Sequence, residues 1–115
     1  MPRSQKPSFD RPQLHAIARL FDTLSDPTRL LILHALKESP SCVSDVVTHT
    51  GCKQANVSKQ LGLLFDAGLV ARQREGNQVC YSIQEPLIFE LCNLVCRKLQ
   101  RDSARQAEMF RRVPT

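Results

Sequence analysis

Two short amphipathic segments that meet at Gly51 constrain the fold of this chain more than any other feature. The first begins at the capping pair Ser44-Asp45, where an acid suits the helix dipole, and ends at Thr50. Gly51 ends this segment because glycine adopts the left-handed conformation that other residues resist. A second helical segment begins within three residues. The sequence therefore predicts a helix, a tight turn and another helix.

The second of these helices has one face that packs and one that remains in water. Its apolar residues recur at helical spacing, namely Val57, Leu61, Leu64 and Phe65. The other side carries small polar, amide and cationic residues, namely Gln54, Ala55, Asn56, Ser58 and Lys59. This pattern predicts a solvated, amide-rich and cationic surface on a packed helix.

A two-stranded hairpin follows directly. Residues 69–74 alternate as a strand does, and residues 78–83 alternate again after the turn Glu75-Gly76-Asn77. Upstream, Cys42 and Val43 have room for only a very short strand. The order of helix, turn, helix and basic hairpin predicts a winged helix-turn-helix, a mainly α fold with a small β-hairpin wing.

The flanking segments complete one predicted domain over residues 12–110. Residues 1–11 predict a flexible N-terminal tail, because they hold two prolines and little apolar material. A helix with an apolar stripe begins near Pro12, and a second helix, capped by Asp26, ends before Pro40. The last helix runs from Leu87 toward Met109. Its stripe is too long for a small domain to cover, so it predicts dimerisation through the terminal helices.

Composition excludes several classes of protein. The chain has 115 residues, of which 42% are hydrophobic, which predicts one compact domain. It lacks both an apolar run long enough for a membrane span and the apolar core of a signal peptide, so we expect a cytoplasmic protein. No catalytic constellation is found, so an enzyme is not predicted. The net charge of +5 is compatible with a polyanionic partner.

Four motifs, in order, resemble the ArsR/SmtB family of bacterial winged-helix repressors. The resemblance covers about residues 14–100, and its motifs are residues 24–30 (LSDPTRL), 56–61 (NVSKQL), 67–70 (AGLV) and 75–77 (EGN). The resemblance implies a homodimer that binds an inverted repeat in double-stranded DNA. The residues expected on DNA are Gln54, Asn56, Ser58, Lys59, Arg74, Asn77 and Gln78.

Chemistry divides these residues into two groups. The amides of Gln54 and Asn56 can bond to base edges, adenine in particular, whereas the others are expected to hold phosphates. One departure from the family concerns Lys53, which stands where the family usually has a Ser or Thr cap.

The family's usual metal sites are incomplete in this chain. Its arsenic-type motif resembles Cys-Val-Cys-Asp, but here Ser44 replaces the second cysteine, and a hydroxyl is a poor ligand for a thiophilic ion. Of the four positions that match the zinc-type site, only Glu85 could ligate; the other three are Leu87, Lys98 and Arg101. We therefore assign no metal site, although a thiophilic metal or metalloid ion stays open as a cofactor.

The five cysteines are the remaining candidates for sensing. Cys42 precedes a helix N-terminus, where the dipole favours the reactive thiolate. Cys92 and Cys96 lie one helical turn apart and could share a soft ion, or serve as small apolar residues in the dimer. Cys52 is expected to fill the core, and the role of Cys80 is undecided.

These observations predict a repressor that thiol oxidation or persulfidation releases from its operator. One alternative is release by As(III) or another thiophilic metal ion. An alternative of another class is a winged-helix module for protein interaction, without specific DNA binding.

Overall fold

The computed structural model describes residues 8–110. Five helices are present in this range: α1 (Arg11–Thr23), α2 (Pro27–Glu38), α3 (Val43–Thr50), α4 (Gln54–Asp66) and α5 (Leu87–Phe110). Three strands accompany them: β1 (Ser41–Cys42), β2 (Val70–Glu75) and β3 (Gln78–Ile83). The chain divides into two compact units between Gln84 and Glu85, so α5 belongs to the second unit.

The N-termini of the helices follow local capping chemistry. α1 begins at Arg11, one residue before the predicted start, because Asp10 and Gln13 bond each other's backbone N–H groups at 2.9 and 2.8 Å. The first seven residues of the predicted tail lie outside the described range. For α2 the prediction is confirmed, since the Asp26 carboxylate accepts from the N–H of Thr28 at 3.3 Å.

Helix α3 begins two residues earlier than its expected start at Asp45. The Asp45 carboxylate accepts the backbone N–H of Cys42 at 3.2 Å, so Cys42, rather than Ser44, is the N-terminal cap. At the other end the prediction is confirmed: Gly51 has a φ of 74° and donates its N–H to the carbonyl of Val47 at 2.8 Å.

The predicted hairpin forms part of a three-stranded antiparallel sheet of order β1-β3-β2. Cys80, in the central strand, faces Cys42 in β1 and Gln73 in β2. The sequence predicted β2, β3 and a very short strand at Cys42 and Val43. The short strand is Ser41–Cys42 instead, because Val43 already belongs to α3, and its pairing with β3 was not predicted.

The core of the first unit comes from α2, α3, α4, the start of β2 and the middle of β3. Its buried side chains include Ile32, Leu33, Leu36, Val46, Val57, Leu61, Leu64 and Val70. Helix α1 contributes no buried residue. Its apolar stripe remains exposed in the single chain, at 49% for Leu14, 36% for Ile17 and 55% for Phe21.

Helix α5 has 24 residues and carries a second exposed apolar stripe. Leu87, Leu94, Val95 and Leu99 are each 54–58% exposed in the single chain. Lys98 and Asp102 form an ion pair one turn apart on the same helix. Among the described residues, no helix is both long and apolar enough to cross a membrane.

Candidate nucleic-acid interface

Helix α4 has the two faces that the sequence predicted. Val57, Leu61 and Leu64 are fully buried, and they hold the helix against the core. The opposite face is exposed and carries Gln54, Asn56, Ser58 and Lys59. The polar surface is therefore presented by a helix that the core holds in a fixed orientation.

A cleft of about 390 Å³ brings α4 and the wing together. Its walls come from the N-terminus of α3, the first turns of α4 and the tip of the wing, and its lining residues are Val43, Ser44, Gln54, Ser58, Asn77, Gln78 and Val79. Four of the seven residues predicted to contact DNA thus line one concave surface, although they lie up to 24 positions apart in the sequence.

The other three predicted residues lie outside this cleft. Asn56 and Lys59 are exposed on α4, and Arg74 lines a second depression, on the wing, together with Arg72 and Tyr81. Within residues 8–110, Lys59 and Arg74 form no ion pair, so both positive charges are available to phosphates. Arg72 is engaged differently, since its guanidinium lies 3.9 Å from the centre of the Phe65 ring.

The first turn of α4 lacks a side-chain cap. Lys53 occupies the N-cap position and makes no capping hydrogen bond there, as the departure from the family pattern predicted. The first N–H groups of α4 therefore have no capping side chain, which is compatible with an anionic partner such as a phosphate.

A chain of hydrogen bonds connects Asn56 through Gln60 to Arg29, and the sequence analysis did not predict it. Gln60 is 8% exposed and is the one buried polar residue of the described range. Its Nε2 donates to Oδ1 of Asn56 at 3.0 Å, and its Oε1 accepts from Nη1 of Arg29 at 2.9 Å. Arg29 also donates to the carbonyls of Thr23, at 2.6 Å, and Asp22, at 3.3 Å.

The guanidinium determines the orientation of both amides. Arg29 has only donors, so Gln60 must turn its oxygen toward Arg29 and its NH₂ group toward Asn56. Asn56 must then accept with its own oxygen, which leaves its NH₂ group as a donor for another partner. The signal in the sequence was a glutamine within the apolar stripe of α4, since Gln60 lies three positions after Val57.

Replacing Gln60 with Glu tests this orientation. The introduced carboxylate can still accept from Arg29 but cannot donate, so Asn56 would turn its NH₂ group inward. We expect the free energy of operator binding to become about 1–3 kcal/mol less favourable, with little change in the free energy of unfolding. Fluorescence anisotropy on operator and random duplexes, with thermal denaturation alongside, measures both.

The added charge needs its own control in this experiment. Repulsion between the introduced carboxylate and DNA would weaken both duplexes equally, whereas reorientation of Asn56 weakens the operator more. Gln60→Met, which breaks both bonds without adding charge, should also lower the free energy of unfolding by about 1–3 kcal/mol. Equal losses on both duplexes for Gln60→Glu would contradict the orienting role.

The structure pairs one of the three predicted sensing thiols with a cysteine whose role the sequence left undecided. Cys42, expected as a reactive thiolate, is bonded in a disulfide to Cys80. Cys92 and Cys96 are free thiols on α5. Cys52 is also free and half-buried, and its backbone N–H donates to the Thr50 hydroxyl. The pairing of Cys80 could not be predicted from spacing, because it lies 38 positions beyond Cys42 in the chain.

This arrangement defines a class of protein. A helix-turn-helix whose second helix exposes amides, followed by a hairpin that shares a cleft with it, is a winged helix-turn-helix of the DNA-binding type. A family profile described as "Bacterial regulatory protein, arsR family" matches residues 26–72, from the start of α2 into β2.

Individual relatives agree with this profile. A protein from Streptomyces lividans named "Probable mercury resistance operon repressor" is 34% identical over 84% of this chain and 77% of its own length. The crystal structure of Rv0081 from Mycobacterium tuberculosis is 35% identical, with a TM-score of 0.75 over 85% of this chain and 99% of that one.

A third relative is known as a dimer. The homodimeric winged helix-turn-helix DNA-binding domain of Mb0332 from Mycobacterium bovis is 30% identical, with a TM-score of 0.68 over 82% of this chain and 89% of that one. The chain belongs to the arsR family of bacterial regulatory proteins. It is a winged-helix transcriptional repressor rather than an enzyme, and the resemblance inferred from the sequence motifs is confirmed.

Proposed function

We propose that this protein is a cytoplasmic homodimer that binds an inverted-repeat operator in double-stranded DNA. The cleft in which Gln54 and Ser58 of α4 meet Asn77 and Gln78 of the wing carries the proposal. A helix in the major groove and a wing on the adjacent backbone would present these residues to one stretch of duplex. The homodimeric domain of Mb0332 supports the assembly.

Each residue takes the contact that its chemistry and position favour. Gln54 and Asn56 would contact base edges from the exposed face of α4. Ser58 and Lys59 would contact phosphates beside them. From the wing, phosphate contacts would come from Arg74, Asn77 and Gln78.

We further propose that thiol oxidation at Cys42 and Cys80 releases the repressor. The disulfide connects the two walls of the cleft, because Val43 and Ser44 follow Cys42 on one wall and Val79 precedes Cys80 on the other. The bond would hold the wing against the N-terminus of α3. The oxidised cleft would then keep its shape, whereas the reduced cleft could widen to fit the wing to the phosphate backbone while α4 occupies the groove.

The redox step needs a two-electron oxidant, such as a peroxide or a polysulfide. With hydrogen peroxide, the two thiols lose two protons and two electrons and form the Sγ–Sγ bond, and the peroxide becomes two molecules of water. A thiol reductant reverses the step. Cys92 and Cys96 remain proposed as a second pair of sensing thiols on α5, where both are free.

Operator binding under controlled redox conditions tests the proposal. The operator is first selected from a random duplex pool with the reduced protein. Peroxide should then lower operator affinity by about 5- to 150-fold, the usual range for coupled sites, and a reductant should restore it. In a background of Cys92→Ser and Cys96→Ser, which removes the second pair, Cys42→Ser and Cys80→Ser should lose this response, whereas Cys52→Ser, the matched control, should keep it.

Three results would overturn parts of this proposal. Peroxide that strengthens operator binding, or that still acts on Cys42→Ser when Cys92 and Cys96 are also serine, would remove the Cys42–Cys80 switch. A response that requires Cys92 and Cys96 would move the sensor to α5. Binding that depends on salt but not on sequence, or no binding, would favour the protein-interaction module.

Metal-triggered release is the second candidate, and the name of the Streptomyces relative favours it. Cysteine thiolates are the ligands that mercuric and arsenite ions prefer. Stoichiometric release by either ion, with no response to peroxide, would replace the redox proposal with this one.

A further inference from the structure

A carboxylate lies beside the Cys42–Cys80 pair. One ligand atom from each of Cys42, Glu75 and Cys80 lies within 4.8 Å of the other two, and these residues form the one such group found in the described range. The three residues come from three different strands, β1, β2 and β3.

The register of the sheet explains this cluster. Cross-strand partners point to the same face, so Cys42, Cys80 and Gln73 share one face. Glu75 lies two residues beyond Gln73 in β2, and residues two apart in a strand also share a face. The sheet therefore brings two sulfur atoms and one carboxylate together beside the cleft.

We propose that the reduced protein binds one borderline divalent cation, Zn²⁺ or Cd²⁺, at Cys42, Cys80 and Glu75. Tetrahedral zinc has Zn–S bonds of about 2.3 Å and Zn–O bonds of about 2.0–2.2 Å, so its ligand atoms lie roughly 3.5–3.8 Å apart. That spacing is within the 4.8 Å that the three groups span. A water molecule would take the fourth position.

The burial of the ligands is compatible with loading from solvent. Cys80 is buried, Cys42 is half-buried and Glu75 is exposed, so the ion would enter from the Glu75 side. Two thiolates make the site softer than a carboxylate site, whereas the third, oxygen ligand favours zinc and cadmium over ions that prefer sulfur alone.

Metal and disulfide exclude each other at this site. A dithiol reductant must first supply two electrons and two protons to the disulfide and become a disulfide itself. The metal then displaces the two thiol protons, so its affinity should rise with pH. The inference deepens the proposed function, on whose cysteine pair it rests, because a bound ion would join the same two cleft walls and protect the thiolates from oxidation.

Cobalt titration without DNA tests the site. The protein carries Cys52→Ser, Cys92→Ser and Cys96→Ser, so Cys42 and Cys80 are the only thiols, and a phosphine keeps them reduced. One Co²⁺ per chain should give thiolate-to-cobalt charge-transfer absorption, which Zn²⁺ should abolish by displacement. Circular dichroism confirms that each variant is folded.

The ligand variants should differ in a defined order. A further Cys80→Ser change should remove the charge-transfer absorption. Glu75→Gln should keep it but weaken cobalt affinity by about tenfold or more, whereas Glu38→Gln, an exposed acid at the end of α2, should have no effect.

Two outcomes would overturn the site. These are no thiolate-to-cobalt absorption in the reduced triple variant, and a cobalt affinity that Glu75→Gln leaves unchanged. Because no DNA is present, these failures would leave redox-dependent operator release intact. Equally, loss of that release in the operator experiment would leave the metal titration unaffected.

Discussion

Replacing Val95 with Asp is expected to convert the homodimer to monomers and to lower operator affinity by about 10²- to 10⁴-fold. Val95 is 54% exposed in the single chain and lies in the apolar stripe of α5. A stripe of this length on a terminal helix is typical of a surface that a second subunit covers. An unpaired carboxylate buried there would oppose association, and each monomer would then bind a half-site alone.

Asn93→Asp is the matched control for this change. It adds the same charge two residues away on the opposite side of α5, outside the apolar stripe. Valine and aspartate also have similar helix propensities, so the Val95 change tests the surface rather than the helix. Sedimentation at micromolar concentration separates dimer from monomer. A monomeric wild type, or dimers that persist in Val95→Asp, would contradict dimerisation through this face.

Replacing Asn56 with Ala should lower operator affinity by about 1–3 kcal/mol and affect random duplexes much less. The bond from Gln60 leaves the NH₂ group of Asn56 as a donor for another partner, which suits an acceptor on a base edge. Asn56→Asp should be worse than Asn56→Ala, because a carboxylate cannot donate and repels the backbone.

Lys59→Ala is the contrasting change on the same exposed face of α4. It should weaken operator and random duplexes alike and reduce the slope of log K against log salt by about 0.9, the value for one phosphate. Binding isotherms at several salt concentrations separate the two effects. An equal loss on both duplexes for Asn56→Ala would assign Asn56 to phosphate contact.

Local chemistry explains why most of the secondary structure could be predicted. The apolar spacing of α4, the Asp26 cap and the left-handed turn at Gly51 each depend on residues within a few positions of one another. The start of α3 was missed by two residues, because both Ser44 and Asp45 are suitable caps and only the backbone decides that Asp45 bonds to Cys42.

The sequence also predicts one part of the polar site and leaves the other part to the tertiary structure. The exposure of Gln54, Asn56, Ser58 and Lys59 follows from periodicity, since they lie away from the apolar stripe of α4. Gln54 and Ser58 line one cleft with Asn77 and Gln78 because of the way the wing packs, and periodicity does not describe that packing.

The sequence alone was sufficient to determine the order of elements, the packed and solvated faces of α4 and the resemblance to a repressor family, because these depend on spacing along the chain. Only the tertiary structure paired Cys42 with Cys80, placed Glu75 beside them and connected Arg29 to Asn56 through Gln60. Each of these contacts depends on strand register or helix packing between segments far apart in the chain, and local patterns carry no information about either.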